Sequence, residues 1–422
     1  MEQLIIKNAR LNGATTDILI ENGRFKTFAP HITPSQEQCE LFDACGMTIV
    51  PPFFNAHTHA AMTLFRGFAD DIELFDWLNN YIWPAEAKLT PYDVYCGSKL
   101  AILEMIKSGT VFFNDMYWFQ EETIRAAEEM GVRAAVGLLF LEDENGNIAE
   151  RNVRGNQKLL EMKKQQLFSD RITLTLAPHA VYTVSERNLR RVEELAEELK
   201  LPVHIHLAET AREVQECRKE HSGLSPVEYL ASLGLLNRNL IAAHSVHLSN
   251  YDIEMLADAQ AVLVHMPCSN MKLNSGAFRF ADAFKAGCRI ALGTDGCASN
   301  NNLSMFDEMK FAALAAKRED NSPTAAPADY VFNIATTGGA EAFGIDSGEI
   351  SPGKLADAVL INTDSSYLTG GEFIPGMVYS ADSSVVDSVI CNGRIIMKHR
   401  VVPGEKQIIE EGRKCAAKLR AK

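Results

Sequence analysis

Short apolar runs alternate with helix-like segments through the middle of this chain, and this alternation limits the folds that the chain can adopt. The run RITLTLAP (171–178) predicts a strand, and LPVHIHLAE (201–209) predicts the next one. Between them, SERNLRRVEELAEELK (185–200) predicts an amphipathic helix with Ser185 as its N-cap. Because apolar strands that alternate with helices form parallel sheets with covered faces, the pattern predicts an α/β fold.

The same alternation recurs in the runs LIAAHSVHL (240–248), AVLVHMPCSN (261–270) and RIALGTDG (289–296). It extends over roughly 300 residues, which suits a (β/α)8 barrel better than a doubly wound sheet. A dinucleotide-binding sheet would carry a GxGxxG motif at its first helix, and none is found there. We therefore predict a TIM-like (β/α)8 barrel over residues 52–349.

Both ends of the chain are typical of short antiparallel strands that are joined by tight turns. The N-terminal segments alternate apolar and polar residues around Asn-Gly pairs, which favour two-residue hairpin turns. The C-terminal segment CNGRIIMK (391–398) resembles ENGRFKTF (21–28). An internal repeat is the alternative, but eight residues are too few to support it. We predict that residues 1–51 and 350–422 form one composite β-sandwich domain.

The composition limits the partners and the location of the protein. The net charge of −14 disfavours nucleic acids and anionic membranes as partners. The N-terminus has no signal-peptide pattern, and the apolar run AAVGLLFL (134–141) is too short to span a bilayer. Nine cysteines without a CxxC pair indicate reduced thiols. We expect a cytoplasmic protein that binds neither nucleic acid nor membrane.

Polar side chains stand where several predicted barrel strands end. Barrel enzymes carry their chemistry at the C-terminal ends of the strands. A single histidine at such a position is most simply a buried structural residue, but its repetition on successive strands favours a functional site. The residues at these ends are His57, His59, His179, His206 with Glu209, His244, His265 and Asp295.

The alternation of side chains along a strand separates the inward-facing histidines from the others. His57 and His59 are two residues apart, so they face the same side of an extended chain. His204 and His206 also share a side; His206 is nearer the strand end and is the predicted ligand, with His204 one layer deeper. His244 is predicted to face inward, whereas His247 has the opposite parity and a structural or loop role.

Three imidazoles and one carboxylate provide a site for one Zn²⁺ or Fe²⁺ ion with room for a water molecule. Such an ion lowers the pKa of water toward ~7 and so provides a nucleophile at neutral pH. Glu209, three residues after His206, can reach the same mouth as a proton shuttle, and His244 can hold or deprotonate the water. Asp295 follows the run IALGT, so its carboxylate can reach the mouth as well.

The order and spacing of these motifs resemble the amidohydrolase superfamily. The resemblance covers nearly the whole chain and is closer to the 5-methylthioadenosine/S-adenosylhomocysteine deaminases and the related triazine chlorohydrolases. It implies the barrel, the β-sandwich from both termini and a homodimer. The motifs that carry it are HTH (57–59), HLAE (206–209), AAHSVH (242–247), PCSNMKL (267–273) and LGTDGCASNN (292–301).

The resemblance also implies roles for individual residues. The single metal ion would be bound by His57, His59, His206 and Asp295, with Glu209, His244 and Asp295 as catalytic groups. His179 and Glu209 match substrate-contacting positions. Glu86 matches a carboxylate associated with ribose hydroxyls, although by sequence alone it is equally a helix first-turn residue. For a homocysteine carboxylate, Arg154 in the segment LEDENGNIAERNVRG (141–155) is the candidate, with Arg151 as the fallback and a solvated loop arginine as the alternative.

Two absences from the sequence indicate how many metal ions the site binds and which class of deaminase is excluded. The fourth predicted strand contains no lysine that could be carboxylated to bridge two metal ions. The HxE and PCxxC motifs of the cytidine-type zinc deaminases are also absent. The sequence therefore favours one divalent ion, Zn²⁺ with Fe²⁺ as the alternative, on a different fold from those deaminases.

Three functions fit these observations. The first is a hydrolytic deaminase of an adenosine-like nucleoside (5-methylthioadenosine, S-adenosylhomocysteine or adenosine) that yields the inosine analogue and ammonia. The second is an aminohydrolase or chlorohydrolase of another N-heterocycle such as guanine, a pterin or a triazine. The third is a non-catalytic binding protein on the same fold, which would typically have lost metal ligands. Glu86 favours the first, because a ribose requires a hydroxyl partner.

Overall fold

The computed structural model describes residues 3–34 and 39–420 of the 422-residue chain. Residues 1–2, 35–38 and 421–422, which fall within the predicted terminal domain, lie outside the described residues. The N-terminal strands are β1 (Gln3–Leu11), β2 (Ala14–Glu21), β3 (Arg24–Ala29), β4 (Cys39–Asp43) and β5 (Met47–Val50).

Two tight hairpins connect the first three strands. β1 and β2 turn at Asn12 and Gly13, and β2 and β3 turn at Asn22 and Gly23. All four residues have positive φ, with +49° at Asn12 and +51° at Asn22, as a type I′ turn requires. The Asn-Gly pairs in the sequence therefore predicted both hairpins correctly.

Eight parallel strands follow and pair in chain order, which confirms the predicted TIM-like barrel. The ring is completed beyond the last strand, where the backbone N–H groups of Thr294 and Asp295 donate to the carbonyl of His57 at 3.1 and 3.0 Å. A Cβ atom on Gly293 would lie 2.9 Å from the backbone of His57, so only glycine permits this approach. The strands are β6 (Phe53–Thr58), β7 (Thr110–Asp115), β8 (Arg133–Phe140), β9 (Ile172–Pro178), β10 (Val203–Leu207), β11 (Leu240–His244), β12 (Val262–His265) and β13 (Arg289–Leu292).

Helices cover the outer face of the barrel and its mouth. Within residues 3–34 and 39–420, no helix combines the length and the apolarity that a membrane crossing requires. The helices are α1 (Leu74–Trp77), α2 (Trp83–Glu86), α3 (Pro91–Lys107), α4 (Gln120–Met130), α5 (Glu150–Lys164), α6 (Glu186–Leu199), α7 (Ala211–Glu220), α8 (Pro226–Ser232), α9 (Asn250–Asp258), α10 (Pro267–Lys272), α11 (Phe280–Lys285), α12 (Met305–Glu319), α13 (Ala328–Ala335), α14 (Thr337–Ala342), α15 (Phe373–Tyr379) and α16 (Glu405–Arg420).

Helix α6 shows how the sequence pattern produces one of these elements. Leu189 and Val192 of its apolar face are buried, as the period of the sequence predicts. Ser185 occupies the N-cap position, but its side chain accepts no capping hydrogen bond. Its hydroxyl instead donates to Glu142 at 2.5 Å, which links the start of α6 to the segment after β8.

The two ends of the chain form one further eight-stranded sheet, as predicted, around β14 (Ala358–Asn362), β15 (Val386–Cys391) and β16 (Arg394–Met397). The antiparallel pair of β5 and β14 joins the N-terminal and C-terminal strands. β15 and β16 turn at Asn392 and Gly393. This turn lies against the one at Asn22 and Gly23, because a Cβ atom on Gly393 would be 2.8 Å from the Cα atom of Gly23. The domain boundaries at 51/52 and 349/350 stay predictions.

Buried and half-buried charges attach these C-terminal elements to the barrel. The Nε atom of Arg133, the first residue of β8, lies 2.8 Å from Oδ2 of Asp357, just before β14. Helix α16 is held against α3 by Lys107 with Glu405 at 2.8 Å and by Lys418 with Asp93 at 3.2 Å. Because Arg133 begins its strand, this ion pair lies at the strand end opposite to the one where the predicted site residues gather.

Candidate active site

The histidines and the aspartate predicted at strand ends converge at the C-terminal mouth of the barrel. The Nε2 atoms of His57 and His59 lie 3.4 and 3.3 Å from Oδ1 of Asp295. The Nε2 atom of His206 lies 3.3 Å from that of His59. Ligand atoms from His57, His59 and Asp295 all lie within 4.8 Å of one another, and the same holds for His57, His206 and His244. These donors therefore surround one small volume.

Each of the three clustered imidazoles is fixed through its Nδ1 atom, which leaves Nε2 free to face the other donors. A carbonyl oxygen only accepts, so an Nδ1 atom beside a carbonyl carries the hydrogen and Nε2 then presents a lone pair. The Nδ1 partners are Nε2 of His204 at 2.8 Å for His57, the Met116 carbonyl at 2.6 Å for His59, and the His179 carbonyl at 2.7 Å for His206.

The carboxylate of Asp295 is held by two hydroxyl groups on the side away from the histidines. Its Oδ2 atom accepts hydrogen bonds from Ser269 at 2.6 Å and Ser299 at 2.8 Å. Burial acts to raise the pKa of Asp295, but the neighbouring imidazoles of His57 and His59 lower it to well below its usual value. Asp295 is therefore ionised, with Oδ1 directed to the cluster.

Glu209 and His244 form a second pair beside this cluster. The Oε2 atom of Glu209 lies 3.6 Å from Nε2 of His244, and Oε1 accepts a hydrogen bond from Ser275 at 3.1 Å. The Nδ1 atom of His244 lies 2.8 Å from Oδ1 of Asn270. Burial raises the pKa of Glu209. Burial acts to lower the pKa of His244, but the charges of Glu209 and Asp295 raise it above its usual value.

A further carboxylate fixes the backbone from which Glu209 projects. Glu213, in the first turn of α7, accepts hydrogen bonds from the N–H groups of Ala208 at 2.7 Å and Glu209 at 2.8 Å. Ala208 has a φ of +50°, so the chain turns sharply here. Burial raises the pKa of Glu213 to about 7. The turn after β10 is thus held by two bonds to one side chain.

The cluster and the Glu209–His244 pair open into a cavity that we call the inner pocket. Besides these residues, it is lined by aromatic and aliphatic side chains that include Trp77, Trp118 and Tyr182. Glu86, at the end of α2, is 4% exposed and lines the same pocket. Burial raises the pKa of Glu86, while the neighbouring side chains of Tyr117 and Trp118 act to lower it. The pocket can therefore enclose a flat apolar ring and offer it a few polar partners.

The two remaining strand-end histidines have different surroundings. His179 lines the inner pocket, and its Nδ1 atom lies 2.9 Å from the Thr183 hydroxyl. Burial lowers the pKa of His179 to about 3, so its ring is neutral. His265 stacks on Phe278 with ring centroids 4.3 Å apart, which identifies it as a packing residue.

Comparisons with known proteins identify the family to which this chain belongs. The model of the amidohydrolase family matches residues 48–396. The chain is 44% identical to 5-methylthioadenosine/S-adenosylhomocysteine deaminase 1 of Archaeoglobus fulgidus, over 99% of each protein. It is 43% identical to 5′-deoxyadenosine deaminase of Methanothermobacter thermautotrophicus, over 93% of this chain and 91% of that one. The chain belongs to the amidohydrolase family.

A solved structure of similar fold contains zinc, and the donors of this amidohydrolase can be tested for their fit to a metal ion. The structure of an adenosine deaminase from Xanthomonas campestris with bound zinc superposes with a TM-score of 0.93, 32% identity and 99% coverage of both chains. In the present chain, Nε2 of His57 is buried without a hydrogen-bond partner among the described residues. An unpartnered buried nitrogen is costly in an empty protein interior but is satisfied by coordination, so the donor set fits a divalent ion.

The predicted contact from Arg154 does not lie at the inner pocket. The segment 141–155 is not a loop throughout, because α5 begins at Glu150. The side chain of Arg154 is 71% exposed and pairs with Glu150 at 3.4 Å. Arg151, the fallback, lies with its guanidinium 3.9 Å from the ring centre of Trp118, a residue of the inner pocket. Arg151 thus reaches the wall of the inner pocket, whereas the side chain of Arg154 extends into solvent.

Several positioning residues of this amidohydrolase were not predicted from the sequence. The pattern Thr210-x-x-Glu213 is the signal of a helix capping box. Thr210 does accept from the Glu213 N–H at 3.1 Å, but the Glu213 carboxylate bonds the turn before the cap. No spacing rule indicates three others, because their partners are distant in sequence: Tyr117 beside Glu86, Asn270 beside His244, and Ser269 beside Asp295. Ser299, which also donates to Asp295, lies only four residues after it.

Proposed function

We propose that the protein is a divalent-metal-dependent hydrolytic deaminase of an adenosine-like nucleoside. The reaction would convert the 6-amino purine into its inosine analogue with release of ammonia. Full-length relatives at 43–44% identity that are named as deaminases of such nucleosides support this class of substrate. The observation that carries the proposal is the Glu209–His244 pair, 3.6 Å apart, beside the histidine–aspartate cluster in one enclosed pocket.

In this proposal, His57, His59, His206 and Asp295 hold one ion, and Zn²⁺ is favoured by the three imidazole nitrogens and one carboxylate. The zinc bound by the similar adenosine deaminase structure supports that choice. When bound, the ion supplies the Lewis acidity that makes water a nucleophile at neutral pH. Every proton movement is then assigned to side chains of the chain itself.

Glu209 is the proposed carrier of protons. The oxygen of the attacking water bonds to C6 of the purine, and one of its protons passes through Glu209 to N1. The second proton passes to the amine, the C6–N6 bond breaks, and ammonia leaves. A carboxyl group whose pKa is raised by burial retains a proton closer to neutral pH, which suits it to act as the acid in this step.

His244 is the proposed partner of the attacking water. Asn270 presents its amide oxygen to Nδ1 of His244 in the assigned orientation, which places the ring hydrogen on Nδ1. In the neutral form of the ring, the Nε2 atom accepts a hydrogen bond from the water and so directs a lone pair of the water oxygen toward C6. Fixing the water in this geometry removes a large part of the entropic barrier to attack.

The proposed binding mode places the base among the aromatic side chains and the ribose at Glu86. A carboxylate can accept hydrogen bonds from both ribose hydroxyls, and a bare base such as guanine has no such groups. His179, neutral and lining the same pocket, is the proposed partner of the purine ring. Arg154 pairs with Glu150 at the surface and lies outside the lining of this pocket.

The location and the assembly are part of the same proposal. The net charge of −14 supports a small-molecule substrate without nucleic-acid or membrane partners. The cysteines, none of which is paired among the described residues, support a reducing cytoplasm. A homodimer is proposed on the resemblance alone, and light scattering of the purified protein tests it directly.

The decisive test is an ammonia-release screen with metal-loaded protein. The substrates are adenosine, 5′-deoxyadenosine, methylthioadenosine, S-adenosylhomocysteine, guanine and a pterin, each with and without prior chelation of metal. We expect release from the adenosine nucleosides alone, and its loss after chelation. Turnover of guanine or the pterin with none of the nucleosides would overturn the proposed substrate class.

A further inference from the structure

A second cavity, which we call the outer pocket, adjoins the inner pocket. Five residues line both cavities and form their common wall: Trp83, Glu86, Trp118, Leu141 and Tyr182. In the proposed binding mode, the amine of the purine is at Glu209 and the ribose is at Glu86. The 5′-carbon of the ribose then points past Glu86, so a 5′-substituent enters the outer pocket.

The outer pocket is strongly acidic. One arginine, Arg151, is found among the described residues that line it. Glu186 forms an ion pair with Arg190 at 2.8 Å. Four other carboxylates of the pocket form no ion pair with any described residue: Glu142, Asp143, Glu144 and Glu220. The carboxylates that line the pocket are Glu86, Glu142, Asp143, Glu144, Glu186 and Glu220.

The single arginine is already engaged by the common wall. Its guanidinium lies over the ring of Trp118 and is 5.6 Å from the ring centre of Phe119. Burial lowers the pKa of Arg151, and the charge of Glu86 acts in the opposite direction. The negative charge of Glu86 therefore offsets the positive charge of Arg151. The remaining carboxylates give the outer pocket an excess of negative charge.

The other side chains of the outer pocket also suit a cation. Trp83 and Tyr182 contribute aromatic faces, and aromatic faces attract ammonium groups. Tyr229 is 3% exposed, and its hydroxyl has no hydrogen-bond partner among the described residues. Its ring stacks on His221 with centroids 3.7 Å apart, which fixes it in the pocket wall. An unpartnered buried hydroxyl is unfavourable and accepts a hydrogen bond readily.

We propose that the outer pocket is a cation-selective subsite for the 5′-substituent of the nucleoside. It binds a substituent that ends in a primary amine and discriminates against one that ends in a carboxylate. This inference rests on the proposed function, because the binding mode of the nucleoside sets the direction of the 5′-carbon. Because the 5′-substituent lies away from the reacting C6 atom, it leaves kcat unchanged. The selectivity therefore appears in KM.

The test compares three 5′-thioadenosines with tails of similar length that end in an amine, a methyl group or a carboxylate. Full-length, metal-loaded protein is used, and deamination is followed by the change in purine absorbance. We expect kcat/KM to fall from amine to methyl to carboxylate, with at least ~10-fold between the extremes, through KM. Added salt should reduce the ratio, because it screens exposed charges beyond ~10 Å at 0.1 M.

Charge-removing variants locate the effect. The double variant Glu144→Gln/Glu220→Gln removes two exposed carboxylates of the outer pocket and should lower the amine-to-carboxylate ratio at least ~3-fold. Glu197→Gln/Glu198→Gln is the matched control: it also removes two charges, from exposed positions ~16–18 Å along α6 from Glu186, and should leave the ratio unchanged. A ratio near one in the unmodified protein would overturn the inference. So would a preference for the carboxylate tail that Arg151→Gln abolishes.

Calorimetric binding of the same three compounds separates this inference from the proposed function. Binding in the order amine, methyl, carboxylate without any turnover would support the subsite and reject the deaminase. Turnover of methylthioadenosine with equal binding of the three compounds would support the deaminase and reject the subsite.

Discussion

The Nδ1 atom of His57 lies 2.8 Å from Nε2 of His204, a fully buried histidine on the adjoining layer of the barrel. For His57 to offer a lone pair at Nε2, its hydrogen must be on Nδ1, and His204 must accept it. Burial and the nearby histidines lower the pKa of His204 well below its usual value, so its ring is neutral and can accept. A metal ion on Nε2 of His57 places the ring hydrogen on Nδ1, and His204 is then positioned to accept it.

His204→Ala should therefore weaken metal binding without removing a ligand. Loss of such an outer partner typically lowers metal affinity ~10–100-fold. Competition with a chromophoric chelator measures the affinity, and His31→Ala, an exposed histidine, is the control. Unchanged affinity in His204→Ala would show that His57 does not depend on this hydrogen bond.

Glu209→Gln separates proton transfer from metal binding. The amide keeps the shape of the side chain but does not titrate, so metal content should stay the same while kcat falls by at least ~10². His206→Ala should lose both the metal and the activity. Metal analysis and steady-state kinetics on the best nucleoside substrate measure both variants. Near-normal turnover by Glu209→Gln would rule out the proposed mechanism even if the metal site were correct.

Glu213→Ala tests whether the turn after β10 needs its carboxylate. Without the two hydrogen bonds to Ala208 and Glu209, the Glu209 side chain loses its fixed position. Displacing a catalytic group by ~1 Å lowers kcat by about 10–100-fold. We expect little change in metal content. Thr210→Ala, which removes only the cap of α7, is the control and should leave kcat within a few-fold of normal. Equal losses in both variants would assign the effect to the helix.

The sequence predicted those parts of the fold that depend on local patterns. The Asn-Gly pairs specify hairpins because both residues tolerate positive φ, and the apolar runs specify buried parallel strands. Side-chain parity correctly brought His57 and His59 to the same face, near Asp295. Each of these predictions uses only neighbours in the chain.

Contacts between residues that are distant in the sequence could not be predicted from such patterns. Arg151 and Arg154 both lie in α5, which begins at Glu150, and a polar sequence of low apolar periodicity gave no sign of that helix. The hydrogen bond of Asn270 to His244 spans 26 residues and two strands. It depends on the register of β11 against β12, which no local spacing encodes.

The last prediction concerns the attachment of the terminal sheet to the barrel. Arg133 and Asp357 are 4% and 0% exposed and share two hydrogen bonds, at 2.8 and 3.1 Å. Asp357→Ala leaves the guanidinium buried without its partner, which should cost ~3–5 kcal/mol of unfolding free energy. The midpoint of urea unfolding, followed by tryptophan fluorescence, measures the loss.

Two comparisons make this measurement specific to the buried charge. Asp346→Ala removes an ion pair with Arg24 whose two side chains are 52% and 48% exposed, and it should cost at most ~1 kcal/mol. Arg133→Met/Asp357→Leu removes both buried charges and should be more stable than Asp357→Ala alone, because no uncompensated charge remains. If Asp357→Ala cost no more than Asp346→Ala, the buried pair would not be what holds the terminal sheet on the barrel.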